Sequence, residues 1–180
     1  MKAYFLTLLI MAGLIPGFAF AEAQVKVGDK VPEFKLPFAT KDTINFEGIG
    51  SQDLLGKRYI LAFYPADWSG GCTKETCHFR DTMGQFEKLN VMVYGVSVDN
   101  LFSHRQWSQW DSLNFPLFSD QTHKLGSAMG VFNSENGMFQ RSIFVVGPDG
   151  KIEYVKYNYS VKDDTDFNAL EQALTNLTAK

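Results

Sequence analysis

The sequence predicts an α/β fold, a three-layer sandwich with a mixed central sheet flanked by helices. Three observations predict it. The runs 59–64, 91–98 and 139–146 are dominated by apolar residues, the pattern of strands buried on both faces. Stretches with apolar residues three and four apart lie between and after these runs, so strands and helices alternate. Pro148-Asp149-Gly150 separates the third run from a fourth apolar stretch, 152–157, and that turn chemistry makes an antiparallel hairpin. Strand–helix crossovers plus a hairpin put parallel and antiparallel neighbours in one sheet.

Taken in chain order, residues 1–21 stand apart. Lys2 is their only charge, an apolar run covers 5–15, Pro16 and Gly17 end it, and Ala19-Phe20-Ala21 precedes Glu22. This is the pattern of a secretory signal peptide, with an apolar core short for a transmembrane span; an uncleaved membrane anchor is the alternative. It leaves 22–180 as one exported domain, with a bacterial periplasm as the expected compartment and no stable membrane insertion after cleavage. Loss of Lys2 with the leader takes the formal charge from −3 to −4. That balance offers no electrostatic attraction for nucleic acid or an anionic membrane surface.

The stretch 25–37 alternates and is punctuated by proline, so it enters the domain as extended chain. A short edge strand is expected over 42–46. The first long strand, 59–64, follows Gly56-Lys57-Arg58 and ends at Pro65. After the second strand, 91–98, Asp99-Asn100 turns the chain. Ser103 is the expected N-cap of a helix carrying Trp107 and Trp110, both read as packing or surface residues. A short strand over 115–118 and a helix over 122–129, closed by Gly130, come next. The last helix starts near Asp164 and aligns Phe167, Leu170, Leu174 and Leu177 on one stripe.

The chemistry lies between the first strand and its helix, in Pro65-Ala-Asp-Trp-Ser69-Gly-Gly-Cys72-Thr-Lys-Glu75-Thr-Cys77, which holds both cysteines of the chain. Cys72 falls in the first helical turn. The first N–H groups of a helix lack intrahelical partners and carry the positive end of the dipole, so a thiolate is favoured there. Gly70 and Gly71 permit close approach, and Ser69 supplies a hydroxyl. Thr76, Phe79, Met83 and Phe86 form the buried stripe, and Cys72 lies on its line. Cys77 lies about 140° away, on the more exposed side. Residues five apart in a regular helix have Cα atoms about 8 to 9 Å apart, whereas a disulfide needs less than about 7 Å. The two cysteines can therefore bond only if the first turn unwinds. A structural bridge is poorly motivated, because it would close a loop of about five residues and break a helix.

Pro65-x-x-x-Ser69-x-x-Cys72 resembles the peroxiredoxin active-site motif, Pro-x-x-x-Thr/Ser-x-x-Cys. Cys72-Thr-Lys-Glu-Thr-Cys77 followed by Phe79-Arg80-Asp81 resembles the peroxiredoxin Q, or bacterioferritin comigratory protein, branch. Val27-Gly-Asp-Lys-Val-Pro-Glu-Phe34 is similar to the family's opening, and Arg141-Ser-Ile-Phe-Val-Val-Gly-Pro-Asp-Gly150 to its arginine-bearing strand and hairpin. Ser69 stands where most relatives have Thr, and Trp68 and Gly70 replace the branch's usual Asp and Pro.

The resemblance implies a thioredoxin-like fold and a thiol-dependent peroxidase acting on hydrogen peroxide and organic hydroperoxides. It implies that Cys72 is the peroxidatic cysteine and Cys77 the resolving one. Pro65 would shield the sulfur, and Arg141 would face it, held by Glu75. A thioredoxin-like dithiol would act as reductant, for a monomer or dimer. No metal, haem or flavin is expected. An arginine within an apolar strand in any case needs an anionic partner, and Glu75 and Asp149 are the candidates. His78 beside Cys77 invites a metal reading, but Cys72, Cys77 and His78 do not converge on one helix face. Two other classes stay open: a thiol–disulfide oxidoreductase for exported proteins, which lacks its usual Cys-x-x-Cys spacing, and a non-catalytic redox sensor.

Overall fold

A computed structural model describes residues 24–179. The expected leader, 1–21, lies outside the described residues. Strands β1 (Lys35–Ala39) and β2 (Ile44–Gly50) form an antiparallel pair at one edge of the sheet. Strands β3 (Arg58–Phe63), β4 (Val91–Ser97) and β5 (Leu117–Ser119) run parallel in its middle. Strand β8 (Ser142–Val146) joins β3 antiparallel, and β9 (Ile152–Tyr157) pairs with β8 at the other edge. The order is β2-β1-β5-β4-β3-β8-β9, a mixed sheet as expected. A separate ribbon pairs β6 (Phe132–Asn133) with β7 (Met138–Phe139). The helices are α1 (Gly70–Lys88), α2 (Leu101–Trp110), α3 (Lys124–Ala128) and α4 (Thr165–Thr178). None of them is long and apolar enough to cross a membrane.

Both faces of the sheet are buried, which is why the central strands are apolar throughout rather than alternating. Ile60 and Ala62 of β3 meet Phe79, Met83 and Phe86 of α1, Trp107 of α2, and Phe167, Leu170 and Leu174 of α4. Tyr59, Leu61 and Phe63 turn to the other face, with Leu54, Leu125 of α3 and Phe139. Successive strand residues point to opposite sides, so one run feeds two cores.

Four expectations are corrected. The edge strand begins at Ile44 and runs to Gly50, longer than 42–46, because the β1 ladder continues beyond a register shift between Leu36 and Phe38. The run 139–146 is two strands, not one. Phe139 pairs with Phe132 in the ribbon and Ser142 starts the main-sheet strand, with Gln140 and Arg141 at the step between. The helix expected over 122–129 shortens to Lys124–Ala128, since His123 has a left-handed φ of 59°. Asn100, not Ser103, caps α2: its Oδ1 accepts from the N–H groups of Phe102 and Ser103, both at 3.0 Å. Of the two tryptophans, Trp107 is buried in the core and Trp110 is exposed.

Candidate active site

Pro65 has no N–H to extend the ladder, so the pairing of β3 stops at Tyr64, whose N–H still donates to Val96 O at 3.1 Å. The chain turns through Ala66, Asp67 and Trp68 and enters α1 at Ser69. Ser69 is the N-cap, and its Oγ accepts from the Cys72 N–H at 3.4 Å, a long bond. Its own proton stays free for another acceptor. Cys72 is therefore the third residue of α1, fully buried, with its sulfur on the stripe shared with Phe79, Met83 and Phe86.

Arg141 reaches this sulfur from just before β8, on the face of the sheet that α1 covers, where Ile143 and Val145 share the buried cluster with Cys72. Its Nη2 donates to Cys72 Sγ at 3.2 Å, and its Nη1 donates to Glu75 Oε2. Glu75, not Asp149, is thus the carboxylate that pairs with it; Asp149 pairs with Lys151 at 3.1 Å. Two features permit the approach. The step between β7 and β8 places Arg141 at the end of the strand, where the Tyr159 N–H donates to Arg141 O at 3.0 Å. A side chain at Gly71 would come within 3.3 Å of Arg141 Nη2, so glycine leaves room for the guanidinium. Nothing lies within 4 Å of a Cβ at Gly70. An open depression of about 400 Å³, lined by Gln140, Arg141, Tyr159, Ser160 and Val161, adjoins the guanidinium.

Burial pushes the Glu75 carboxyl up to about 7, partly offset by the Arg141 charge. Its Oε1 has no hydrogen-bond partner among the described residues. The sulfur thus meets one guanidinium and a helix N-terminus, both favouring negative charge on it.

Cys77 is half-buried, and both cysteines are free. It faces Arg80 and Asp111; burial pushes its thiol up, and Arg80 beside it partly offsets this. The helix is continuous between the cysteines. Thr76 Oγ1 donates to Cys72 O at 3.0 Å, and the Thr73 N–H donates to Ser69 O at 2.8 Å. Bonds of this kind keep the first turns of α1 wound. His78 stacks on Phe167 of α4, with ring centroids 3.5 Å apart.

A profile of the AhpC/TSA family matches residues 27–155. The chain belongs to this family. The relatives of this AhpC/TSA chain include "2-Cys peroxiredoxin BAS1, chloroplastic" of Spinacia oleracea, 39% identical over 140 residues, which are 73% of this chain and 52% of the relative. "Putative peroxiredoxin bcp" of Coxiella burnetii is 36% identical over 138 residues, 73% of this chain and 88% of the relative. The chain spans about half the length of the plant relative (52%). The crystal structure of peroxidoxin BcpB from Mycobacterium tuberculosis superimposes with a TM-score of 0.73 at 28% identity, covering 87% of this chain and 98% of that one. The fold is the thioredoxin-like one of peroxiredoxin structures.

Sequence reasoning missed a second cluster beside this site. Asp67, in the middle of the loop, is buried against His104 and Ser103 of α2 and Tyr64. The signal was present: Asp67 lies inside the active-site motif, and His104 sits between Leu101 and Trp107 on the buried face of α2.

Proposed function

We propose that this protein is a thiol-dependent peroxidase that reduces hydrogen peroxide and organic hydroperoxides. The observation that carries the reading is the Arg141 guanidinium 3.2 Å from a buried sulfur in the first turn of α1. Arg141 balances the Cys72 thiolate and the charge that develops on the departing oxygen as the O–O bond breaks. Ser69 offers a hydroxyl proton to the peroxide, Pro65 shields the sulfur, and Glu75 holds Arg141 in place.

In the first step the Cys72 thiolate attacks one peroxide oxygen. The S–O bond forms, the O–O bond breaks, and the leaving alkoxide or hydroxide takes a proton, leaving a sulfenic acid. The first turns of α1 then unwind. The Cys77 sulfur displaces hydroxide from the sulfenic sulfur, water leaves, and a Cys72–Cys77 disulfide remains. A thioredoxin-like dithiol returns both thiols and is itself oxidised to a disulfide. The leader motif supports export to a bacterial periplasm, where the domain acts as a monomer or dimer; an N-terminus at Glu22 in the periplasmic fraction tests this.

Stopped-flow mixing of the reduced protein with hydrogen peroxide and with an organic hydroperoxide tests the chemistry. Cys72→Ser should abolish peroxide consumption. Cys77→Ser should consume one equivalent rapidly and then stall at the sulfenic acid. If Cys77→Ser alone blocked that first oxidation, the two roles would be wrong.

A further inference from the structure

The loop 65–69 is fastened to α2 by a buried polar cluster that takes no part in the chemistry above. The Asp67 side chain is fully buried. Its Oδ1 accepts from Tyr64 Oη at 2.9 Å, its Oδ2 from Ser103 Oγ at 2.7 Å, and His104 Nδ1 lies 3.1 and 2.9 Å from the two oxygens. The backbone N–H of Asp67 donates to Asp99 Oδ2 at 2.9 Å, which also accepts from Ser97 Oγ at 2.8 Å. The loop is thus bound through the Asp67 side chain to α2 and through its main chain to the β4–α2 connection.

His104 closes the cluster. It is fully buried, and its Nε2 lies 3.2 Å from Phe118 O, so both ring nitrogens face acceptors. The ring therefore bridges Asp67 of the loop to the β5 carbonyl of Phe118. Burial followed by the Asp67 charge raises the Tyr64 phenol well above its ordinary value, which keeps it a donor to Asp67.

Trp68 comes next. Its φ is 63°, the left-handed region that a bulky residue rarely adopts. The same Ser103 Oγ that donates to Asp67 accepts from Trp68 Nε1 at 3.2 Å. The residue directly before the N-cap of α1 is therefore held in an unfavourable conformation by α2. Among the described residues, none of these groups hydrogen-bonds to Cys72. They act on it through the loop.

Resting on the peroxidase reading, we propose that Asp67, clasped by His104 and Ser103, is a positioning latch for the first turn of α1. Closed, it holds Trp68 and Ser69 so that Cys72 stays wound beside Arg141 and reacts with peroxide. Opened, it lets Trp68 relax and the first turn unwind, which speeds closure onto Cys77. The latch sets the balance between the two steps.

Asp67→Ala and Asp67→Asn test it. Asparagine keeps the shape and presents one oxygen and one amide, so it can still hydrogen-bond Tyr64, Ser103 and His104. Alanine removes the clasp. Stopped-flow traces should show Asp67→Ala forming sulfenic acid about tenfold more slowly and closing the disulfide several-fold faster, with Asp67→Asn within about twofold of wild type in both. Amide hydrogen exchange over 70–77 should accelerate in Asp67→Ala and not in Asp67→Asn. Opposite movement of the two rates in Asp67→Ala supports the latch. Unchanged rates, or both falling together, overturn it. A wild-type Cys72 inert to peroxide would instead remove the peroxidase reading, while amide exchange still reports on the latch.

Discussion

The two halves of α1 are built from different forces. From Phe79 onward the helix is anchored by aromatic burial: Phe79 lies 6.1 Å from Phe86, 6.4 Å from Phe115 and 5.8 Å from Phe167, ring centroid to centroid, and is fully buried. Before Phe79 the helix is held mostly by polar bonds: the Ser69 cap at 3.4 Å, Thr76 to Cys72 O at 3.0 Å, and Arg141 on Cys72 and Glu75. Burial of large side chains does not yield to small changes, whereas polar bonds can be exchanged for bonds to water. One helix therefore carries a fixed half and a half that can unwind, and both cysteines lie in the second kind.

The fixed half is the place for the largest effect. Phe79→Ala should lower urea-unfolding stability by about 3 to 5 kcal/mol, while the folded fraction still forms sulfenic acid at the wild-type rate. Slower oxidation per folded molecule would mean that the halves are not separable. Arg141→Met addresses the other half. Loss of one preorganised donor to developing negative charge slows reaction by roughly 10² to 10³, and stopped-flow oxidation should show a fall of that size with a much smaller change in urea midpoint than Phe79→Ala.

Much of this division was legible in the sequence, because it follows from helical periodicity. The stripe 76, 79, 83, 86 and its extension to Cys72 place the sulfur on the buried side without any structure. Arg141 opposite Cys72 rested on family resemblance, and its setting was misread. The run 139–146 looks continuous, but the chain leaves the ribbon at Phe139 and joins the main sheet at Ser142, and periodicity cannot locate a change of sheet. Serine is a good cap, which is why the sequence points to Ser103. Asn100 took that role, and the serine hydroxyl was left for Asp67 and Trp68. Contacts such as Asp67 with His104, separated by 37 residues, depend on how α2 lies against the loop, and local patterns do not carry that.

Glu75 sharpens the comparison through pH. Its carboxyl is pushed from 4.5 up to about 7 by burial. A carboxyl raised in this way favours the folded state through its protonated form. Its contribution is fully present below about 4.5 and is lost as pH rises through about 7. Urea titrations from about pH 5 to about pH 8 should show the wild type losing on the order of 1 to 3 kcal/mol relative to Glu75→Gln. A flat difference would mean that Arg141 holds Glu75 ionised throughout.

The smallest expected effect tests the point where unwinding begins. The Ser69 cap bond is long, and capping side chains contribute about 0.5 to 2 kcal/mol. Ser69→Ala should therefore fall near the lower end, about 0.5 to 1 kcal/mol in urea. Because the cap belongs to the yielding half, that loss should be felt mainly as easier fraying, and disulfide closure after oxidation should quicken by roughly two- to fivefold, the rate equivalent of that energy. The first oxidation should slow if, as proposed, the same hydroxyl donates to the incoming peroxide. Ser69→Thr restores the hydroxyl and separates the two contributions: recovery of both rates assigns them to the cap and the proton together. Recovery of oxidation alone would show that the Ser69 cap does not govern unwinding, and would move the start of fraying to the bond between Thr76 and Cys72.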